Sequence, residues 1–316
     1  MGFDVLVAGE TLIDFIPQRR GPTATVDGFE RRPGGAPANV AVGLSRLEHV
    51  PLFWTRVGDD PFGRYLRDTL EENDVSDKFV ETDPNAKTSL AFVEHDERGD
   101  RTFTFYRDDT ADTRLEPGRI DDATLADLEW VHAGGVTLAS GPSREATLDL
   151  LERASEAGAT TSFDPNFRPE LWPDRETFRS VTREALAFVD VLKTTGEELA
   201  ALGCTEGSLE SSARAALRAG PETAFVTRGA EGALAVTSPD GRWSTTEATH
   251  PGYEVDVVDA TGAGDGFVAG AIAAALDGRS LSDSLAFANA VGAAATTEPG
   301  AMTALPDSGD VESMLE

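Results

Sequence analysis

Short apolar runs recur along this chain, separated by segments with helical spacing. Val5-Leu6-Val7-Ala8 is the first and Leu52 to Val57 the second; Trp130-Val131-His132, Thr160 to Phe163, Val189 to Leu192 and Ala224 to Thr227 follow. These runs read as buried strands. Between them, Asp60 is placed to cap a helix with Pro61 at its first position, and Phe62, Tyr65, Leu66, Thr69 and Leu70 share one face. Strands alternating with helices predict an α/β fold, a doubly wound, mostly parallel sheet flanked by helices. A length of 316 residues suffices for a sizeable core, and the chain reads as one unit over 1–316. Two stretches break the rhythm. Leu90 to Val93, the polar turn Asp96 to Asp100, and Arg101 to Arg107 read as a β-hairpin, with Phe103, Phe105 and Arg107 on one face; Thr11 to Arg32 is extended and turn-rich. Together, about 11–32 and 87–112 predict a small β lid over the sheet's C-terminal edge.

Charge narrows the functional classes. The chain carries 56 acidic against 27 basic residues, a net charge of −29, and only three lysines. Nucleic acid and anionic membrane surfaces are poor partners for such a field. A salt-rich cytoplasm suits it, because at 1 M salt self-repulsion is screened over about 3 Å. No apolar run approaches the roughly eighteen residues of a membrane span, and Met1 to Val7 reads as a first strand, not a signal peptide. One cysteine, Cys204, excludes internal disulfides and cysteine-based zinc sites.

The chemistry concentrates in Asp259-Ala260-Thr261-Gly262-Ala263-Gly264-Asp265-Gly266. It follows the β-type run Val255-Asp256-Val257-Val258 and opens the Ala-rich helical run Phe267 to Leu276. Glycines at such a turn let the first helical amides face an anion. A carboxylate inside an anion cradle suits a site where phosphate moves onto a hydroxyl: the amides hold the transferring charge and the acid takes the proton. A second turn, Gly34-Gly35-Ala36-Pro37-Ala38-Asn39, permits close approach of a ligand to backbone, with Asn39 offering a donor and an acceptor. Val40, Leu44 and Leu47 then form a buried helical stripe.

The two turns resemble the two signatures of the PfkB (ribokinase-like) carbohydrate kinases, and the length, strand pattern and lid fit across nearly the whole chain. The resemblance implies transfer of the ATP γ-phosphoryl group to a sugar hydroxyl. It implies Asp265 as general base and the amides of Gly262, Ala263 and Gly264 as anion hole. Gly9 to Phe15, with Asp14, resembles the opening of fructokinases, where the aspartate binds sugar hydroxyls; Phe105-Tyr106-Arg107 resembles their Phe-Tyr-Arg stretch, although Asp108-Asp109-Thr110 departs from the usual continuation. In Asp164-Pro165-Asn166-Phe167-Arg168, Asn166 would bond a sugar hydroxyl, and Arg168 either a sugar acid's carboxylate or the phosphates. With Gly34, Gly35 and Asn39 these complete the implied sugar site. For the nucleotide, Glu198 matches the family's Asn-x-x-Glu motif, which tunes Mg²⁺ and phosphate binding, while Thr195 stands where Asn is usual. Thr227, Gly229 and Gly232 resemble the phosphate-side loop, and Asn289, among small residues, falls where the adenine slot is lined. Asp259, Thr261 and Gly300 resemble positions of a monovalent-cation site that takes K⁺. Lid strands pair into homodimers in this family.

A ketose, with fructokinase or ketohexokinase activity, is favoured by the Ile-Asp-Phe-Ile-Pro opening; 2-keto-3-deoxygluconate is the alternative. No Gly-x-x-x-x-Gly-Lys-Ser/Thr occurs, so a P-loop kinase is excluded. A nicotinamide-binding fold would need Gly-x-Gly-x-x-Gly after the first strand, where Gly9-Glu10-Thr11 stands instead. A non-catalytic sugar-binding module on the same fold is the alternative to an enzyme, and Asp265 argues against it.

Overall fold

The computed structural model describes residues 3–19, 21, 23–95 and 101–315. Its strands are β1 (Val5–Ala8), β2 (Leu12–Pro17), β3 (Phe29–Gly34), β4 (Leu52–Gly58), β5 (Val80–Asp83), β6 (Leu90–His95), β7 (Arg101–Tyr106), β8 (Trp130–Gly134), β9 (Thr160–Asp164), β10 (Val191–Thr195), β11 (Thr223–Thr227), β12 (Ala233–Thr237) and β13 (Glu247–His250). Its α-helices are α1 (Ala36–Arg46), α2 (Pro61–Glu72), α3 (Asp122–Ala126), α4 (Gly141–Ala157), α5 (Arg175–Leu186), α6 (Gly196–Ala201), α7 (Leu209–Leu217), α8 (Ala263–Leu276), α9 (Leu281–Ala294) and α10 (Ser308–Leu315). The strand expected from Val189 starts at Val191 and runs on to Thr195.

Nine strands form the main sheet in the order β13-β12-β11-β10-β9-β8-β1-β4-β5. From β11 to β5 every neighbour is parallel, and β12 and β13 close one edge antiparallel. Alternate residues of β1 divide the core. Val5 and Val7 pack with α1, α8 and α9 on one face, while Leu6 and Ala8 pack with α3 and α4 on the other. Burial on both faces is why these strands read as continuous apolar runs. The chain leaves β1 toward β4 and β5, then returns to its other side for β8 to β11. The order therefore reverses between β1 and β8, and a crevice opens outside the carboxyl ends of strands at such a switch point.

The second sheet, β3-β2-β6-β7, is made by insertions after β1 and after β5. β2 pairs antiparallel with β3 and parallel with β6, and β6 antiparallel with β7. The turn Asp96 to Asp100 lies outside the described residues. Phe15, Phe62, Tyr65 and Leu90 attach this sheet to α2. The Asp60 carboxylate caps α2 through the amides of Phe62 and Gly63, and its other oxygen accepts from the amide of Thr88 at the root of β6.

Small residues let α8 pack closely. A Cβ on Gly270 would come within 3.0 Å of Ala288 Cα in α9, and one on Gly43 in α1 within 2.8 Å of Ala269 Cβ. The Ala-rich composition of α8 thus serves helix packing along most of its length.

Candidate active site at the switch point

Val255-Asp256-Val257-Val258 is not a strand. Residues 251–258 are irregular, and Val257 and Val258 are about 60% exposed, at 61% and 62%. A β-branched run forms a strand only where a neighbour accepts its ladder; here the amides of Val258 and Asp259 both turn to Thr296 O. The segment walls a cavity instead. The turn that follows has the conformation its glycines suggest. Gly262 is left-handed (φ 78°) at the N-cap of α8, and a Cβ there would lie 2.8 Å from Ala301 Cα. No side chain caps this helix start, and the Ala263 amide makes only a long bond to Ala260 O at 3.4 Å, so this end of α8 is suited to receive an anion.

Asp265 sits in the first turn of α8, half-buried, and Asn39 Nδ2 donates to its Oδ2 at 2.7 Å. Burial, the largest influence, pushes its carboxyl up to about 6 against the Asn39 bond and the Lys193 charge, which pull it down. A carboxylate so tuned is mostly ionised at neutral pH yet more basic than an ordinary aspartate.

Beside it, the Gly34-Gly35 turn approaches the end of β1. Gly35 has φ 104°, and a Cβ there would lie 2.5 Å from Glu10 O. A Cβ on Gly34 would lie 2.1 Å from Asp14 Oδ2, so the Asp14 side chain folds directly over this glycine. Glu10 Oε1 accepts from the Ala36 amide at 3.3 Å and thereby supplies the cap that Gly35 cannot. Of the seven buried side-chain atoms without a hydrogen-bond partner among the described residues, three belong to the residues gathered here: Glu10 Oε2, Asn39 Oδ1 and Arg107 Nη2. Orphaned buried polar atoms are costly, and a polyhydroxylated ligand satisfies them. Burial pushes the Glu10 carboxyl up to about 7, with the Arg107 charge opposing. Arg107 is only 5% exposed and donates through Nε to Asp112 Oδ2 at 2.6 Å. Asp112 also accepts from Ser89 and Thr110.

Asn166 and Arg168 come in from the end of β9. Asn166 is buried in a left-handed conformation (φ 41°), its amide donating to Asp164 Oδ1 at 3.0 Å. A strained non-glycine backbone of this kind concentrates at ligand sites. The Arg168 guanidinium lies 5.6 Å from the ring centre of Phe103 on β7, and its charge lowers the pKa of Asp265.

On the opposite side of the turn lies a cavity of about 760 Å³. Thr227, Gly229, Gly232 and Asn289 line it together with Ala263, Gly264, Tyr253, Val255, Val257 and Phe267. Its size and apolar walls suit a nucleoside. Asn289 Nδ2 donates to Leu285 O, which fixes the side chain. An adjoining groove runs past Lys193, Thr195, Thr227, Arg228 and Gly229 to Gly264. Glu198 lines neither. Both its oxygens are engaged, Oε1 by the Phe167 amide and Oε2 by the Thr195 amide, and Thr195 Oγ1 in turn accepts from the Glu198 amide as a capping box. Thr195 therefore caps α6 where the family places asparagine. Asp259 accepts from Thr261 N and Oγ1 through Oδ1 and from Gly300 N through Oδ2, pinning two loops together.

The fold thus brings the sugar-side residues, Asp265 and the nucleotide-side residues to one crevice. Sequence reasoning gave no role to three side chains there. Glu10 lies in the Gly9 to Phe15 segment. Asp164 opened another. Lys193 carried the clearest overlooked signal, since lysine is so scarce in this acidic chain.

A mostly parallel sheet with a carboxylate in an anion-binding turn, beside a nucleoside-sized cavity, defines a phosphotransferase architecture. Residues 3–308 match the pfkB family carbohydrate kinase pattern. A fructokinase of Klebsiella pneumoniae is 38% identical, with 100% of both chains covered. Among solved structures, fructokinase with bound ATP from Xylella fastidiosa superposes with a TM-score of 0.86 at 35% identity, covering 99% of this chain and 98% of that one. A fructokinase double mutant from Vibrio cholerae O395, in fructose-, ADP- and potassium-bound form, gives 0.83 at 34% identity with the same coverage. The chain belongs to the pfkB family of carbohydrate kinases.

Proposed function

We propose that this kinase is an ATP-dependent fructokinase. The Asn39–Asp265 hydrogen bond carries the reading, because it joins the turn suited to a sugar with the turn suited to a phosphoryl group. The fructose and ATP bound by similar fructokinases support the same substrates here. The sugar would lie over Gly34 and Gly35, held by Asp14, Asn39 and Asn166, with Arg107 and Arg168 at its margin. The nucleoside would fill the cavity by Asn289, its phosphates running past Thr227, Gly229 and Gly232 toward Gly262, Ala263 and Gly264. Asp265 removes the proton as the hydroxyl attacks in line, and the amides hold the transferring group. Positioning and electrostatics supply most of the acceleration in such transfers. The second sheet, formed largely by 11–32 and 87–112 with β3 running on to Gly34, serves as lid and excludes water.

Among the described residues no group of three or more His, Cys, Asp or Glu side chains is arranged to hold a metal. We therefore assign Mg²⁺ to the nucleotide's phosphates, its usual ligands in kinase sites, where it would neutralise their charge. The carboxylate and hydroxyl oxygens of Asp259 and Thr261, pinned to Gly300, suit a hard monovalent cation such as K⁺. No helix among the described residues is long and apolar enough to cross a membrane. A cytoplasmic, salt-adapted setting fits the net charge of −29, and the exposed Tyr106 on β7 is a natural contact for lid-to-lid dimers.

The test is an ATP-dependent assay in molar KCl across fructose, ribose, 2-keto-3-deoxygluconate and a nucleoside. Fructose should give the highest kcat/KM, and NMR of the product assigns carbon 1, the ketohexokinase outcome, or carbon 6. A strong preference for the sugar acid would overturn the fructokinase reading.

A further inference from the structure

Gly264 belongs both to the nucleoside cavity and to the adjoining groove, and the side chain nearest to it is a cation. Lys193 Nζ lies 3.2 Å from the point that a Cβ on Gly264 would occupy. The Lys193 side chain is 12% exposed and opens into the groove shared with Thr227, Gly229 and Gly264. Its position is fixed from behind, since Nζ donates to Asp164 Oδ2 at 2.8 Å. Burial works against its charge, but the carboxylates of Asp164 and Glu198 outweigh this and hold the ammonium above its ordinary range. Glu198, through its bonds to the amides of Thr195 and Phe167, locks both strand ends that carry this pair. The result is a positive charge held beside Gly264 at the edge of the groove.

We infer that Lys193 is a further catalytic residue, an electrophile that contacts an oxygen of the transferring phosphoryl group beside Gly264. This rests on the kinase reading above. In the step, the sugar oxygen forms a bond to the γ-phosphorus, the bond from that phosphorus to the β–γ bridging oxygen breaks, ADP keeps the electron pair and the proton goes to Asp265. Lys193 gains and loses no proton. It stabilises the charge spread over the phosphoryl oxygens, which amides alone do as dipoles. A Cβ at 264 would press on the ammonium, which would have to give by a few tenths of an ångström. A structural role alone, neutralising Asp164, would be served by a lysine turned into the core; this one ends at the groove.

Lys193→Met keeps the length and removes the charge. With the full chain in molar KCl, kcat should fall about 10²–10³-fold, while fructose affinity from tryptophan fluorescence changes little and the melting temperature falls, because Asp164 loses its buried partner. Because the loss of Lys193 strands Asp164, the double variant Lys193→Met/Asp164→Asn is measured in parallel. It should fold and remain as slow as the single variant. A folded Lys193→Met with kcat within threefold of wild type overturns the inference. So does recovery of kcat in the double variant, which would make Lys193 merely the partner of Asp164. Wild-type turnover across the sugar panel reports separately on the fructokinase reading, and the ratio of variant to wild type is taken on whichever sugar is phosphorylated.

Discussion

Asn39 Nδ2 donates to Asp265 Oδ2 at 2.7 Å and so connects the start of α1 with the start of α8 across 226 residues of sequence. The bond favours the ionised form of Asp265 and aims one carboxylate oxygen, while Asn39 Oδ1 stays unpaired for a ligand. Asp265→Asn should lower kcat by about 10²–10⁴-fold with little change in fructose affinity, because the proton acceptor is lost while the shape is kept. Steady-state kinetics with an independent sugar-binding titration check this; near-full turnover by the variant would remove Asp265 from the mechanism.

The acid limb of the pH–rate profile follows from the same carboxyl. Asp265 acts ionised and is raised to about 6, so kcat should climb as pH rises through 6 and level off above about 7. Asn39→Ala removes the hydrogen bond that holds the pKa down. The limb should move to higher pH in this variant, in addition to any rise in KM. A limb that stays in place would show that another group sets it.

The pattern of buried strands was legible because the inner parallel strands, covered on both faces, are largely apolar, whereas the edge strand β5, Val-Glu-Thr-Asp, gave no such run; Asp60 with Pro61 announced α2 through local chemistry alone. The glycine turns at 34–35 and 262–264 were legible for a similar reason, since Gly35 and Gly262 take positive φ values that other residues rarely adopt. Val255 to Val258 misled, because strand propensity is expressed only with a pairing partner and here the backbone bonds to Thr296. Glu10 and Lys193 were not legible as site residues. Their roles arise from convergence of the ends of β1, β9 and β10 with α1 and α8, and no spacing along the chain encodes that.

Glu10 is raised to about 7 from an ordinary glutamate value of 4.5, which has a consequence for stability. Between those values the folded state holds a proton that the unfolded state has released, so this group's contribution falls as pH rises from about 4.5 to 7 and stays low above it. Glu10→Gln keeps an acceptor for the Ala36 amide without the buried charge. The variant should be more stable than wild type by roughly 1–3 kcal/mol at pH 8 and nearly equal at pH 4. Denaturant melts at the two pH values decide it; an equal difference at both would mean that packing, not ionisation, is responsible.

Gly262 and Gly278 separate backbone strain from site geometry. Both are left-handed, with φ of 78° and 71°, but a Cβ on Gly262 meets Ala301 Cα at 2.8 Å whereas one on Gly278 meets nothing within 4 Å. Gly278→Ala should cost about 1 kcal/mol and leave kcat alone. Gly262→Ala should cost more, about 1–3 kcal/mol, and lower kcat at least tenfold, because relieving the clash displaces the amides that receive the phosphoryl group. Equal effects of the two substitutions on kcat would count against the anion hole.

Salt acts on this chain in two opposed ways. It screens exposed pairs such as Arg19–Asp27, whose side chains are 61% and 93% exposed, but such pairs contribute at most about 1 kcal/mol. It also relieves repulsion among the acids that have no counterpart, since 56 carboxylates face 27 bases. The second effect involves the whole surface and should prevail. The melting temperature should therefore rise steadily from dilute buffer to molar KCl, and NaCl should act almost equally on stability. Activity should distinguish the two salts if the Asp259–Thr261–Gly300 cluster holds K⁺, with Asp259→Asn losing that preference while keeping the salt-dependent melting. A melting temperature that is flat or falls with KCl would rule out salt adaptation, and a kcat indifferent to the choice of cation would rule out the ion site.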